Sequence, residues 1–393
     1  MKVKGFRFSA VEAAVKKPGR LDFAMILSDV PADVAAVFTT NRVKAAPVLL
    51  SMERASRGKV RAVVVNSGNA NACTGERGMS DAGETARLVA EAAGIQEDSI
   101  LVASTGVIGK PLPMDRIRGA ISALIIGLPA GNLGDVARAI MTTDTFAKSE
   151  SAYGEAGGAG YTVAGTAKGA GMIMPNMATL LSFLVTDAAV EPVFLRQLFR
   201  RAVDSSFNII SIDGDTSTND TAVLLANGVA GNPVIMPGTP EGEQFESCVR
   251  SVLLSLARQI VKDGEGATKF VEIRVVGAFS TADAKKAAMA VANSMLVKTA
   301  FFGQDANWGR ILAAVGYSGA EVDQNRVALS FDDVPMVRDG VFVGGDAEER
   351  GTEVLRKKEF SVTIDLRLGD GDAVVYTSDI SHEYVSINAD YRT

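Results

Sequence analysis

The feature that most restricts the fold of this chain is its alternation of apolar, β-branched segments with helix-periodic ones, joined by glycine-rich stretches. Residues 60–65 have the composition of a buried strand, and the polar residues 66–71 that follow have that of a loop. Residues 245–260 instead carry apolar side chains at helical spacing. The pattern continues through the 393 residues without an internal repeat of fixed period. It predicts a mixed α/β fold, and the length predicts two to three domains.

Individual elements follow from the same periodicities. We expect helices near Asp81, after Pro192, and over residues 245–260 and 282–293, and strands over residues 270–276, 327–331 and 360–366. Residues 149–171 interrupt the pattern because they are rich in glycine and alanine. They are either a flexible linker or a loop that bends tightly to present a scissile bond.

Charge and cysteine content exclude several classes of protein. The formal charge is −6, and the basic residues are scattered, which argues against a nucleic-acid surface. The two cysteines are too few for a disulfide scaffold; Cys248 falls on an apolar helical stripe, and the state of Cys73 stays open. No signal peptide or membrane-length apolar run is evident, so we expect a soluble cytoplasmic protein.

A single histidine, His382, restricts the possible chemistry. A Ser-His-Asp triad, a Cys-His pair or a multi-histidine metal site would all depend on that one imidazole. A nucleophilic enzyme with this composition is therefore expected to take its general base from another group. For His382 itself we expect a partly exposed position on a strand or loop.

The segment from Lys168 to Thr179 is the first candidate site. A glycine-rich turn and a proline run directly into an apolar strand, with Thr179 at its first position. No phosphate-loop pattern is present, so nucleotide binding is rejected. Thr179 is either an ordinary β-branched strand residue, or a nucleophile whose own α-amine, of pKa about 7.7–8.0, acts as base once the bond after Ala178 is cut.

Three other segments have both a functional and an ordinary interpretation. Thr105 and Gly106 could donate to an oxyanion or form a simple turn. Glu265, between two glycines, could face a cationic substrate or lie in a surface turn. Residues 213–220 are rich in oxygen ligands but lack calcium-loop spacing, so we interpret them as a structural turn network, and no metal site is predicted.

Eight ordered blocks along nearly the whole chain resemble the ornithine acetyltransferase family, also called glutamate N-acetyltransferase, of arginine biosynthesis. The blocks are Phe38-Thr39-Thr40-Asn41, residues 66–72, residues 104–109, Met141-Thr142-Thr143-Asp144-Thr145, residues 168–181, residues 213–221, Asp305-Ala306-Asn307-Trp308-Gly309-Arg310 and the last seven residues. Two positions depart from the family pattern, Ala170 and Ser378, and neither adjoins Thr179 in sequence.

The resemblance implies a layered α/β sandwich, of a type shared with DmpA-like aminopeptidases, that cleaves itself between Ala178 and Thr179. Residues 1–178 would form an α chain, and residues 179–393 a β chain that begins with the nucleophile and carries a C-terminal subdomain. By motif, the resemblance assigns the oxyanion hole to Thr105 and Gly106, and the substrate contacts to Thr142, Lys168, Thr179, Glu265, Asn388 and Thr393.

The activity that the resemblance implies is transfer of acetyl from N-acetylornithine to glutamate through an acetyl-threonine intermediate. It implies an α₂β₂ heterotetramer and no cofactor, and it leaves open whether acetyl-CoA is also a donor, which would make the enzyme bifunctional. The alternative is a related N-terminal-nucleophile amidohydrolase or aminopeptidase that passes the acyl group to water. A scaffold or ligand-binding protein without cleavage is the rival from another class.

Overall fold

The computed structural model describes residues 2–174 and 180–390. Its strands are β1 (Phe6–Val11), β2 (Phe23–Phe38), β3 (Lys59–Asn69), β4 (Ile100–Val107), β5 (Lys148–Ala156), β6 (Ala159–Lys168), β7 (Leu181–Thr186), β8 (Ile210–Ser211), β9 (Thr221–Ala226), β10 (Phe270–Ala278), β11 (Ala328–Phe331), β12 (Val334–Arg338), β13 (Val341–Phe342), β14 (Glu359–Asp365) and β15 (Gly371–Ser378). Its helices are α1 (Ala46–Ser56), α2 (Gly75–Ala93), α3 (Met114–Gly127), α4 (Leu133–Ala139), α5 (Pro192–Asp204), α6 (Pro240–Lys262), α7 (Thr281–Asn293), α8 (Met295–Phe302), α9 (Trp308–Gly316), α10 (Ala347–Arg356) and α11 (His382–Asp390).

The first sheet runs in the order β4-β3-β2-β9-β7-β6-β5, and β1 also pairs with β2. Its central strands are apolar on both faces, as expected for a sheet that is covered by helices on each side. Phe183 and Val185 of β7 pack into one core cluster with α4, and Leu184 packs into another with α5 and α6. The sheet therefore forms the middle of a layered α/β structure.

The first sheet combines strands from both sides of residues 178 and 179. Strand β6 lies before that point and pairs antiparallel with β7, which lies after it. Strand β2 likewise pairs antiparallel with β9. The two segments predicted as separate chains thus share one sheet.

The second sheet runs in the order β13-β12-β11-β14-β10-β15-β8. Strands β10 and β14 are parallel, and the short β8 joins the edge beside β15. Helix α7 contributes a row of small buried side chains, including Ala284, Ala288 and Val291, to the apolar core of this sheet. Within the described ranges, no helix combines the length and the apolar character needed to cross a membrane.

Most of the predicted elements are confirmed, and three expectations are wrong. The helices after Pro192 and over residues 245–260 and 282–293 are present as α5, α6 and α7, and the strand over residues 270–276 is present as β10. Residues 149–171 are neither a linker nor a loop, since β5 and β6 pair as a hairpin over most of this range. Helix α2 begins at Gly75 rather than near Asp81, and β3 extends to Asn69, into a segment read as a loop.

Candidate active site

Thr105 and Gly106 lie side by side near the end of β4, next to the backbone of β3. Gly106 has a φ of 133°, and a Cβ at this position would lie 2.3 Å from the carbonyl carbon of Gly68. Only glycine fits such a close approach. The tight packing holds the backbone of the Thr105-Gly106 pair in place at the edge of a pocket.

Lys168 ends β6 and reaches Thr105. Its Nζ donates to Thr105 Oγ1 at 3.4 Å, and the lysine is almost completely buried. Burial lowers the pKa of Lys168, and the Asp144 carboxylate opposes that shift. Because the ammonium occupies a lone pair of the Thr105 hydroxyl, the hydroxyl proton of Thr105 stays available to a ligand.

Lys168 lies beside a buried ionic cluster. Lys148 pairs with Asp144 at 2.8 Å and with Asp263 at 2.5 Å, and all three side chains are at most 1% exposed. Burial alone would raise the pKa of Asp144, but Lys168 and Lys148 hold it at about 2. The Asp144 carboxylate also accepts from the backbone N–H groups of Gly169 and Thr142, so the cluster fixes both segments.

The segment that leads to Thr179 is held at every described residue from 171 to 174. Gly171 packs closely against the Glu265 carboxylate, because a Cβ added at Gly171 would lie 2.4 Å from a carboxylate oxygen. Met172, at a φ of 58°, and Ile173 donate their N–H groups to Asp213. The Met174 N–H donates to the Asp215 carbonyl at 2.8 Å. Residues 213–220 are thus the turn network that was predicted, and their acidic side chains also line the pocket.

The predicted substrate contacts meet around the same space. One open pocket is lined by Thr142, Thr105, Gly106, Lys168, Glu265 and Asn388. Asn388, on α11, donates to the Glu265 carboxylate at 2.8 Å, which connects the C-terminal helix to the site. Ala178, Thr179 and Thr393 lie outside the described residues, but Leu180 and Met172 on either side of residues 175–179 line this pocket.

The pocket carries charges of both signs. Lys168 lies beside the Thr105-Gly106 pair, and Asp213, Asp215 and Glu265 add carboxylates to the lining. Burial raises the pKa of Asp213 above its usual value. A ligand that carries both an anionic and a cationic group matches this distribution.

Comparisons with known proteins agree with this geometry. The family model described as the ArgJ family matches residues 7–393. The chain belongs to the ArgJ family. It is 70% identical over 393 residues to the arginine biosynthesis bifunctional protein ArgJ of Geobacter sulfurreducens, and 56% identical over 394 residues to that of Syntrophotalea carbinolica, with 100% of each chain covered. A crystal structure of arginine biosynthesis bifunctional protein ArgJ from Bacillus halodurans is 37% identical, with a TM-score of 0.52, and the match covers 53% of this chain and 98% of that one.

Membership of the ArgJ family confirms the resemblance seen in the sequence and makes the chain an enzyme of arginine biosynthesis. The layered α/β architecture is confirmed as well. His382 is exposed, as expected, but it begins helix α11 rather than lying on a strand or loop. Of the cysteines in this ArgJ family member, Cys248 is buried as predicted and Cys73 is exposed.

Several side chains of the ArgJ site were not singled out from the sequence. Two of them are the buried acidic residues Asp144 and Asp220. The third is Tyr384, which lines the pocket and donates to Asp213 at 3.3 Å. Asp144 and Asp220 belong to two of the family blocks, but the sequence of those blocks does not show which of their carboxylates is buried. The signal that could have found Asp220 is its position directly before the apolar strand β9.

Proposed function

We propose that this ArgJ family member cleaves itself between Ala178 and Thr179 and then uses Thr179 to move an acetyl group from N-acetylornithine to glutamate. The observation that carries the proposal is the pocket itself. Residues assigned by motif to the oxyanion hole and to substrate contact, which are far apart in sequence, line one space that also reaches the two ends of the segment holding Thr179.

The Thr105-Gly106 pair supplies the oxyanion hole in this mechanism. Thr179 Oγ attacks the acetyl carbonyl while its α-amine accepts the hydroxyl proton. The negative charge on the tetrahedral oxygen is stabilised by the Thr105 hydroxyl and the Gly106 N–H, with Lys168 close behind Thr105. The proton then passes to the departing amine of ornithine, which leaves acetyl-Thr179. Glutamate's amine attacks the same carbonyl and regenerates the threonine.

The charges of the pocket suit amino-acid substrates. Ornithine carries a carboxylate and a side-chain ammonium, and the lining offers Lys168 for the former and acidic groups for the latter. Asn388 and Thr142 add an amide and a hydroxyl for orientation. A site with both signs of charge accepts a basic and an acidic amino acid in turn, as a two-step transfer requires.

Two observations support self-cleavage. The matched polypeptide from Bacillus halodurans aligns over 98% of its own length but over only 53% of this chain, so it is about half as long. A half-length polypeptide is what cleavage near the middle of a family member produces. In addition, β6 and β7 lie on opposite sides of the proposed cut and stay hydrogen-bonded to each other, so the products would remain one folded unit.

We extend the proposal to a second donor and to the assembly. The relatives from Geobacter sulfurreducens and Syntrophotalea carbinolica are named bifunctional. On that basis we propose that acetyl-CoA also acetylates Thr179 and that glutamate then takes the group. An α₂β₂ assembly in the cytoplasm, without a cofactor, completes the proposal.

The test of cleavage is a denaturing gel of active protein. Cleavage gives fragments 1–178 and 179–393, of roughly 19 and 22 kDa by proportion of the 41.1 kDa chain. Thr179→Ala should leave one band and no transfer, whereas Thr179→Ser, which keeps a hydroxyl, should retain some of both. A fully active wild-type chain in one band would refute the mechanism.

The test of transfer is a product assay with N-acetylornithine and glutamate. A transferase forms N-acetylglutamate and ornithine in equal amounts, with little free acetate. Acetate as the main product would instead identify a hydrolase. The same assay with acetyl-CoA and glutamate decides whether the second donor is used.

A further inference from the structure

Self-cleavage needs a base that the mature enzyme does not. After cleavage the α-amine of Thr179 can accept the hydroxyl proton, but before cleavage that nitrogen belongs to a peptide bond and has no basic lone pair. In the uncut chain another group must therefore move the proton, a conclusion that rests on the proposed function.

The histidine of the chain does not supply this base. His382 is exposed at the first turn of α11, where its ring packs edge-on against Phe302 at 5.5 Å between centroids. It is not among the residues that line the pocket. The other titratable side chains of the pocket lining are carboxylates, Lys168 and Tyr384, and the Tyr384 hydroxyl donates to Asp213 at 3.3 Å.

The pairing of two parallel strands brings Asp220 to the cleavage segment. Leu181 of β7 pairs with Thr221 of β9, and the Thr221 N–H donates to the Leu180 carbonyl at 3.0 Å. The N–H of Leu180 in turn hydrogen bonds to the Asp220 carboxyl. Because the Leu180 nitrogen is covalently bonded to residue 179, this carboxyl is held one residue away from the bond to be cut.

The Asp220 side chain has a free position for a proton. It is 1% exposed, lines the pocket, and accepts from the Ser217 hydroxyl, while the neighbouring Thr39 hydroxyl donates to the Ser217 carbonyl at 2.8 Å. Its second oxygen, Oδ2, has no hydrogen-bond partner among the described residues. Buried polar atoms without a partner are rare, and each requires an explanation.

Three other charged groups of the pocket, Asp213, Glu265 and Lys168, already have hydrogen-bond partners. Both oxygens of Asp213 accept backbone N–H groups of the cleavage segment. Glu265 accepts from Asn388, and Lys168 donates to Thr105. Burial also raises the pKa of Asp220 well above its usual range, which makes its ionised form a stronger base.

We propose that Asp220 carries the proton during self-cleavage. Its carboxylate takes the proton of Thr179 Oγ as Oγ bonds to the Ala178 carbonyl carbon. The resulting carboxylic acid then protonates the Thr179 nitrogen as the peptide C–N bond breaks. The product is an ester between Ala178 and Thr179 Oγ with a free amine, and water hydrolyses this ester to the Ala178 carboxylate and the Thr179 hydroxyl.

The experiment is a time course of cleavage during cell-free synthesis, stopped in detergent and read on a denaturing gel. Asp220→Asn keeps the size of the side chain and an acceptor for the Leu180 N–H, but it removes the titrating group. We expect its 41.1 kDa precursor to be cleaved about a hundredfold more slowly than wild type or slower. Asp220→Glu should recover part of the rate.

Asp187→Asn is the matched control. Asp187 is also buried, follows the other end of β7, and accepts the Thr162 N–H at 2.7 Å. We expect this variant to be cleaved like wild type. An Asp220→Asn chain cleaved as fast as wild type overturns this inference alone, whereas a wild-type chain that stays intact overturns the proposed function and this inference together.

A second variant covers the case in which Asp220→Asn does not fold, as judged by circular dichroism. Ser217→Ala removes one hydrogen bond that favours the ionised carboxylate, so the pKa of Asp220 should rise further. The pH profile of the cleavage rate should then move to higher pH. An unchanged profile in folded Ser217→Ala protein overturns the assignment, because a structural role of Asp220 would leave the profile in place.

Discussion

The pocket end of the first sheet and the far half of the second sheet are built on different principles. Between residues 299 and 376, all of which the structure describes, no polar or charged side chain is fully buried. At the pocket end, by contrast, Asp144, Lys148, Lys168, Asp220 and Asp263 are all buried. The far half of the second sheet is an ordinary apolar core. At the pocket end of the first sheet, the burial of charged groups costs folding free energy, and these groups position the segment that leads to Thr179.

The largest effect on stability is expected from the ionic cluster. Asp263→Ala leaves Lys148 with one carboxylate in a fully buried site and should cost about 3–5 kcal/mol of unfolding free energy. Chemical denaturation in the Thr179→Ala background, which keeps the chain in one piece, measures this loss. Glu53→Ala, which breaks an exposed pair with Arg57, should stay within about 0.5 kcal/mol; equal losses in the two variants would remove the contrast between the regions.

The next effect is kinetic. Thr105→Val preserves the shape of the side chain but removes the hydroxyl that donates to the oxyanion, so kcat should fall about 10²- to 10³-fold with little change in stability. Thr363→Val, on β14 in the far half of the second sheet, should leave kcat unchanged. Steady-state rates of N-acetylglutamate formation test both variants, and a Thr105→Val enzyme with normal kcat would exclude Thr105 from the oxyanion hole.

A smaller expected effect is a dependence of folding stability on pH, and it arises at Lys298, where the two regions meet. Burial lowers the pKa of Lys298 to about 7, and its Nζ donates to Thr377 Oγ1 at 2.7 Å. The unfolded chain keeps this proton up to a pH near 10.5, so between these values the unfolded state binds more protons and stability rises with pH. The gain disappears as pH falls through 7. In Lys298→Met, the difference in unfolding midpoint between pH 7 and 9 should shrink; an unchanged difference would mean that Lys298 is charged in the fold.

The smallest effect on stability is expected from a substitution in the far half of the second sheet. Ile364→Val removes one buried methyl group from β14 and should cost about 0.5–1.5 kcal/mol. Its kcat and KM should match those of wild type, since Ile364 is not among the residues that line the pocket. A kinetic defect larger than twofold would show that the far half of the second sheet is coupled to the site.

The apolar framework was predictable because its signals are local. The helical spacing of Phe245, Val249, Val252 and Leu256 gives α6, and the β-branched run 270–276 gives β10. The β5–β6 hairpin was missed because its glycine and alanine content resembles that of a loop, and its strands are stabilised by pairing rather than by composition.

The residues of the candidate site could be predicted only where a family motif contains them. One pocket is lined by the residues to which the family resemblance assigns oxyanion or substrate contacts and which the structure describes, namely Thr105, Gly106, Thr142, Lys168, Glu265 and Asn388. The position of Asp220 beside Leu180 depends on β7 and β9 lying in parallel register, a pairing across some forty residues that no local periodicity encodes. The burial of Asp144 likewise follows from the approach of Lys148 and Lys168 in three dimensions.

The most direct test of the account is intact-mass analysis of active enzyme that has been mixed with N-acetylornithine and quenched in acid. We expect two polypeptides, residues 1–178 and 179–393, with an ester-linked acetyl group on the first residue of the second. Full activity in an unbroken chain, or an acetyl group that peptide mapping assigns to another side chain, would contradict it.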